Sequence, residues 1–202
     1  MQYSVRMAGQ RATKGRPRIG DPDAISAAGL RLIADNGWSA TTMAQIAGAC
    51  ELSTPTLFRY FPTKASVLWH GMDHNVSLFR EAFDARAADA TLVDAVFDAY
   101  LRMLHESGQL ALIKTRMAIV ARDADAAYAS FDSYERWRAL VIAFAAEYRG
   151  EGPDDVQARI TGATLWAGLW AVIGSWALSA SNDPDDFVNA AREVLSRQES
   201  GR

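Results

Sequence analysis

Apolar residues recur at intervals of three and four along almost the whole chain, and no run sustains an alternation of two. A helix of 3.6 residues per turn buries such a pattern on one face, and a strand does not. The fold class expected is therefore all-α. Three stretches mark helix starts: Asp21-Pro22-Asp23, Gly152-Pro153-Asp154-Asp155 and Asp183-Pro184-Asp185-Asp186. Each offers a cap for orphan N–H groups, a proline at the first helical position and carboxylates for the positive dipole end. Asn36-Gly37, Gly108 and the run Arg149–Gly152 supply helix ends. The spacing predicts nine helices, near 22–36, 42–50, 54–60, 64–86, 91–107, 110–122, 125–149, 153–180 and 184–198. The first three are short and closely joined, the later ones long. A boundary between two units thus falls inside or just before the fourth helix, with no flexible linker.

The 202 residues carry a net charge of −3, but the charge is divided unevenly. Residues 1–68 hold eight Lys/Arg against four Asp/Glu, and residues 69–202 hold thirteen against twenty. A basic N-terminal module that meets a polyanion, followed by an acidic body, fits this division. Half the residues are apolar, enough for a packed core. One cysteine, Cys50, allows no disulfide framework, which fits a reducing cytosol, and the N-terminus shows no apolar signal segment. A cytoplasmic protein is expected. Cys50 reads as a small apolar residue beside a turn rather than a redox sensor.

The run from Ile160 to Asn182 has no charge and is long enough to span a bilayer. Its three glycines, two threonines and scattered serines, without a basic C-terminal flank, favour a buried helix and no membrane partner. A membrane-associated protein using 160–182 is the alternative. Ala163, Ala167, Ala171, Ser175 and Ser179 recur every four residues and form a ridge of small side chains that lets a second helix approach closely. Leu165, Leu169, Val172 and Trp176 make a bulky neighbouring stripe. A homodimer interface is expected here, on Ala163, Ala167, Ala171, Ser175 and Trp176.

Residues 41–64 read TTMAQIAGACELSTPTLFRYFPTK. Thr42 caps a helix, with Gln45 three residues on to complete a capping box. Met43, Ile46 and Ala47 share one face. A turn at Cys50-Glu51-Leu52 leads to a second cap at Ser53, with Pro55 in the first turn. Leu57, Phe58 and Phe61 supply the second helix's apolar face, leaving Thr54, Thr56, Arg59 and Tyr60 outside. Short polar side chains at the start of a second helix are what helix-turn-helix readout of DNA needs, because they let the backbone approach base edges and phosphates.

Residues 27–68 resemble the N-terminal domain of the TetR family of transcriptional regulators. The likeness spans about 45 residues. It is carried by an Ala/Leu-rich helix ending in Asn36-Gly37, a Thr-x-x-x-Ile-Ala helix, and Thr-Leu-Phe-x-Tyr-Phe-x-x-Lys ending at Lys64. It implies a dimeric repressor with three DNA-binding helices and a helical body that binds a small-molecule effector. The implied divisions are a basic arm over 1–20, the DNA-binding domain over 21–65 and the ligand-binding and dimerisation body over 66–202. The implied contacts to double-stranded DNA are Thr42, Ser53, Thr54, Pro55, Thr56, Arg59, Tyr60 and Lys64. Two departures stand out. Glu51 occupies a turn position where the family usually has glycine, and a positive φ there would cost about 1 kcal/mol. Gly29 replaces an alanine, weakening the first helix by about as much. Loss of DNA function, leaving a small-molecule-binding protein, is a further alternative that rests on Glu51.

The arm ahead of the first helix, TKGRPRIG from Thr13, resembles the minor-groove hook of architectural proteins. Arg16 and Arg18 would enter a narrow A·T groove. In the body, aromatic and methionine residues are unusually frequent, and family pockets are apolar with few polar anchors. The candidate effector contacts are Tyr100, Met103, His105, Arg116, Trp137, Trp166 and Trp170. The run FRYFPTKASVLWHGMD also resembles actinobacterial members, including mycofactocin-system regulators, some of which respond to acyl-CoA thioesters; a bulky apolar effector is implied. His70 and His74 have a spacing that can hold a metal but no clear third ligand. No catalytic constellation or phosphate loop stands out, so neither an enzyme nor a bound cofactor is expected.

Overall fold

The computed structural model describes residues 20–200 except 153, with side chains described as far as 197. Arg16, Arg18 and the rest of the predicted arm up to residue 19 lie outside the described residues, as does Pro153. Among the described residues there are eleven helices and no strand. The first three are α1 (Pro22–Asn36), α2 (Met43–Ala49) and α3 (Thr54–Tyr60). The body comprises α4 (Lys64–Leu68), α5 (Met72–Asp84), α6 (Leu92–Glu106), α7 (Leu110–Arg122), α8 (Ala124–Ala129), α9 (Phe131–Arg149), α10 (Val156–Leu178) and α11 (Asp185–Ser200).

Two predicted helices are each broken in two. The helix expected over 64–86 stops at Leu68 and resumes at Met72, with Gly71 at φ 79° between them. Only glycine takes that conformation at no steric cost. The helix expected over 125–149 breaks at Ser130, which ends α8 and opens α9. Ser130 Oγ donates to the Ala126 carbonyl at 2.7 Å and accepts Trp69 Nε1–H at 3.0 Å. α10 begins at Val156 rather than 153, because Asp155 is its working cap and accepts Ala158 N–H at 2.7 Å.

Two hydrophobic cores result. The lower one joins Ile25, Leu30, Ile33, Ile46, Leu57, Phe61, Val67 and Leu68 to Ile119, Val120 and Ala126 of α7 and α8. The upper one is built on Phe79, Phe83, Phe97, Phe144, Leu165, Leu169, Ile173 and Trp176. Trp69 and Trp170 pack against both. The N-terminal helices therefore share a core with the body instead of hanging from a tether. Gly29 is explained at the same junction. A Cβ there would lie 2.6 Å from Val67 Cγ1, so the residue that weakens α1 locally is what lets α4 cross it closely.

Candidate nucleic-acid interface and effector cavity

The capping box at the start of α2 is present in full. Gln45 N–H donates to Thr42 Oγ1 at 3.2 Å, and Thr42 N–H donates to Gln45 Oε1 at 2.8 Å. At the other end, Leu52 N–H reaches the Ala47 carbonyl at 2.9 Å and Glu51 N–H the Gly48 carbonyl at 3.1 Å. This is the double closure of a Schellman turn, with Glu51 in the left-handed position at φ 56°. The turn keeps the hydrogen bonds glycine would give it, at a strain of about 1 kcal/mol. Cys50 caps α2 half-buried, and burial pushes its thiol pKa up, so it stays protonated.

Ser53 caps α3, accepting Thr56 N–H at 3.2 Å, and its hydroxyl meets Thr56 Oγ1 at 2.7 Å. Leu57 is fully buried, which turns Ser53, Pro55, Arg59 and Tyr60 outward and leaves Thr54 and Thr56 half-buried at the edge. Phe58 was expected inside with Leu57 and Phe61, but it is 47% exposed. Leu57 and Phe61 are one turn apart and fill the inward face, while Phe58 is rotated about 100° from Leu57. It joins the outward face as a residue the motif reading missed. Gly20 lies against Tyr60, so the described chain begins beside α3.

Lys64 does not point outward from this face. Its ammonium donates to the carbonyls of Trp38 and Thr41 and sits 4.3 Å from the centre of the Trp38 ring. Burial lowers its pKa. It ties the first turn of α4 to the loop between α1 and α2, which makes it a positioning residue in this structure.

In the body, six of the seven predicted effector contacts line one cavity: Tyr100, Met103, Arg116, Trp137, Trp166 and Trp170. Trp69, Met72 and Asn75 complete one wall. Sequence reasoning missed these three. Asn75 carried a usable signal, a polar residue at helical spacing from Met72 and Phe79 on an apolar face. The aromatic walls stack, with Trp137 and Trp166 5.9 Å apart and nearly parallel. The cavity holds only about 20 Å³ of free space, so its walls are nearly closed. His105 is not part of the cavity. It is half-exposed, and its Nε2 meets Asp185 Oδ1 of α11 at 2.7 Å.

α10 packs its Leu165, Trp166, Leu169, Ile173 and Trp176 into the body of the fold. Trp176 is fully buried, with the Lys114 ammonium 5.6 Å from its ring, and has no surface to offer a second copy. Its bulk serves the core, not a dimer face. The opposite side exposes Ile160, Thr164, Ala167, Ala171, Ser175 and Leu178, with Ala163 half-buried beside them. Thr164 and Ser175 turn their hydroxyls onto carbonyls of their own helix, at 2.9 and 3.0 Å. By length and composition alone α10 could cross a membrane; in the fold its bulky side chains are spent on the core. Among the described residues no cluster of three or more His, Cys, Asp and Glu could hold a metal; His70 instead meets Asp23 at 3.0 Å and packs edge-on to Phe61.

Residues 25–68 match the model of bacterial regulatory proteins of the tetR family, and residues 90–201, more than half the chain, match the MftR C-terminal domain. The chain belongs to the TetR family. Its C-terminal helices are of the MftR type. Members of the TetR family are DNA-binding regulators rather than enzymes. The protein assigned as mycofactocin biosynthesis transcriptional regulator MftR of Mycobacterium tuberculosis is 22% identical over 182 residues, covering 90% of this chain and 92% of the relative. Among solved structures, Salmonella enterica GusR aligns with a TM-score of 0.54 at 23% identity, over 87% of this chain and 93% of that one. FadR of Thermus thermophilus, a TetR family repressor crystallised with lauroyl-CoA, aligns with a TM-score of 0.55 at 22% identity and the same coverage. At these identities the likeness is one of fold.

Proposed function

We propose that the protein is a cytoplasmic, homodimeric repressor that leaves its DNA operator when a bulky apolar effector enters the body. The observation that carries this is the mechanical path between the two sites. α3 presents Ser53, Pro55, Phe58, Arg59 and Tyr60, and its domain is welded by α4 to Trp69 and Met72, which wall the nearly closed cavity. An effector must part those walls, and parting them moves the hinge at Trp69–Gly71. Binding therefore favours a different arrangement of the DNA-binding helices. Residues 21–65 would form the DNA-binding unit and 66–202 the effector and dimer unit, with Arg16 and Arg18 acting from the arm. Thr42, Thr54 and Thr56 would meet the DNA backbone at the edges of the α3 contact. Ala163, Ala167, Ala171 and Ser175 of α10 would pair across the two-fold axis, and the apolar cavity suits an acyl chain such as the lauroyl group bound by the Thermus thermophilus relative.

Footprinting on DNA flanking the gene, followed by titration with lauroyl-CoA, tests this. A protected palindromic site that is released by the thioester is expected. Arg59→Ala should reduce the slope of log affinity against log salt by about one. No protected site, or one indifferent to apolar ligands, would overturn the proposal.

A further inference from the structure

Apolar packing does not account for three of the groups that line the cavity. Arg116 is 2% exposed and forms no ion pair with any carboxylate among the described residues. Its guanidinium donates to the Leu68 carbonyl, to the His70 carbonyl at 3.1 Å and to Met72 Sδ at 3.2 Å. Burial pushes its pKa down to about 10, which still leaves it charged at neutral pH. The charge is thus held by one carbonyl dipole at the end of α4, one in the turn beyond it, and a thioether, a weak acceptor. Asn75, fully buried, spends its amide on the same sulphur at 3.6 Å, and its Oδ1 has no partner. Trp166 Nε1–H is buried without a partner as well. Unpaired buried polar groups are costly, and a buried cation without an anion more so.

We propose that this cavity takes an organic carboxylate on an apolar body, with Arg116 as its counter-ion and Trp166 Nε1–H as a further donor. The proposal rests on the cavity being the effector site and names the chemical class it selects. A carboxylate is acceptor-only and anionic, which matches the guanidinium and the indole N–H. The unpaired Asn75 Oδ1 is itself an acceptor and is met by an N–H or O–H elsewhere on the ligand, not by the carboxylate. A neutral carbonyl accepts hydrogen bonds but leaves the guanidinium uncompensated. The same guanidinium holds the carbonyl of Leu68, the last residue of α4, and that of His70 in the turn to α5. A carboxylate that draws it away loosens the hinge between the two cores, so Arg116 is both the ligand's anchor and the latch on α4.

Binding of phenylacetate, indole-3-acetate and octanoate to the full chain, each beside its neutral amide, tests this without DNA. Tryptophan fluorescence reads it, because Trp69, Trp137, Trp166 and Trp170 line the cavity. At least one acid should bind about tenfold or more tightly than its amide. Arg116→Gln should bring that ratio close to one, and Trp166→Phe should weaken acid binding severalfold while keeping the ring. If Arg116→Gln does not fold, the acid-to-amide ratio of the unaltered protein decides. Equal binding of every acid and amide, or no binding of any acid at millimolar concentration, overturns the proposal. Operator release is measured separately. Acid binding without release leaves the carboxylate site standing and counts against the regulatory reading. Release by lauroyl-CoA with no acid preference does the reverse.

Discussion

Glu51 turns the strongest sequence objection to a working helix-turn-helix into a measurable quantity. Its side chain sits where the backbone needs φ near +60°, and the backbone adopts that angle with both closing hydrogen bonds made. The strain is local to a turn whose two closing hydrogen bonds are both made. Glu51→Gly should therefore stabilise the fold by about 1 kcal/mol. Thermal unfolding would show this as a rise of about 2–4 °C for a chain of this size. An unchanged or lower midpoint would mean that the contacts of the Glu51 side chain outweigh its backbone strain. Lys64 teaches the opposite lesson about motifs. The lysine is where the family pattern puts it, but its ammonium is engaged by the Trp38 and Thr41 carbonyls. Residue type and spacing do not say which way a long side chain folds.

Helix packing depends on one glycine far more than its sequence context implies. A Cβ at Gly162 would lie 2.5 Å from Ile142 Cα and 2.9 Å from Ile142 N, so α9 and α10 touch backbone to backbone. No rotamer change relieves such a contact. Gly162→Ala should destabilise by about 3 kcal/mol or prevent folding, at the top of the range for overpacking. Gly48→Ala in α2 meets nothing within 4 Å. It should be neutral or stabilising by up to about 1 kcal/mol, the helix-propensity difference. Denaturant midpoints of the two variants would separate steric need from propensity, and equal effects would refute the close crossing. The elements themselves were legible because capping chemistry and apolar spacing are local: α1, α3 and α7 run as the spacing predicts, and the Thr42–Gln45 box is complete. The breaks were not. Ser130 interrupts a helix through a hydrogen bond to Trp69, 61 residues away, and no periodicity encodes that. The cavity was half-legible for the same reason. Aromatic richness pointed to Tyr100, Trp137, Trp166 and Trp170, but separating His105 from Arg116 needed the three-dimensional placement of α11.

At the scale of the whole molecule, a long uncharged helix is given two sides with different work. The inward side of α10 is bulky: Trp166 and Trp176 fill the upper core, and Trp170 packs against both cores. Its outward side is a strip of small and apolar residues with hydroxyls turned back onto the helix, a surface that water solvates poorly and another copy covers well. This division predicts different outcomes for substitutions a few residues apart. Ala171→Arg places a charge in the middle of the outward strip and touches no core residue. It should yield a folded monomer with an unchanged melting profile at low concentration and with operator affinity lost, because only one half-site is held. Trp176→Ala should instead cost about 3–5 kcal/mol and unfold the protomer, since it empties the core. Sedimentation equilibrium beside circular dichroism distinguishes the two. An Ala171→Arg protein that stays dimeric would move the interface off this strip, and the conformational coupling between the two half-sites would then need another helix to carry it.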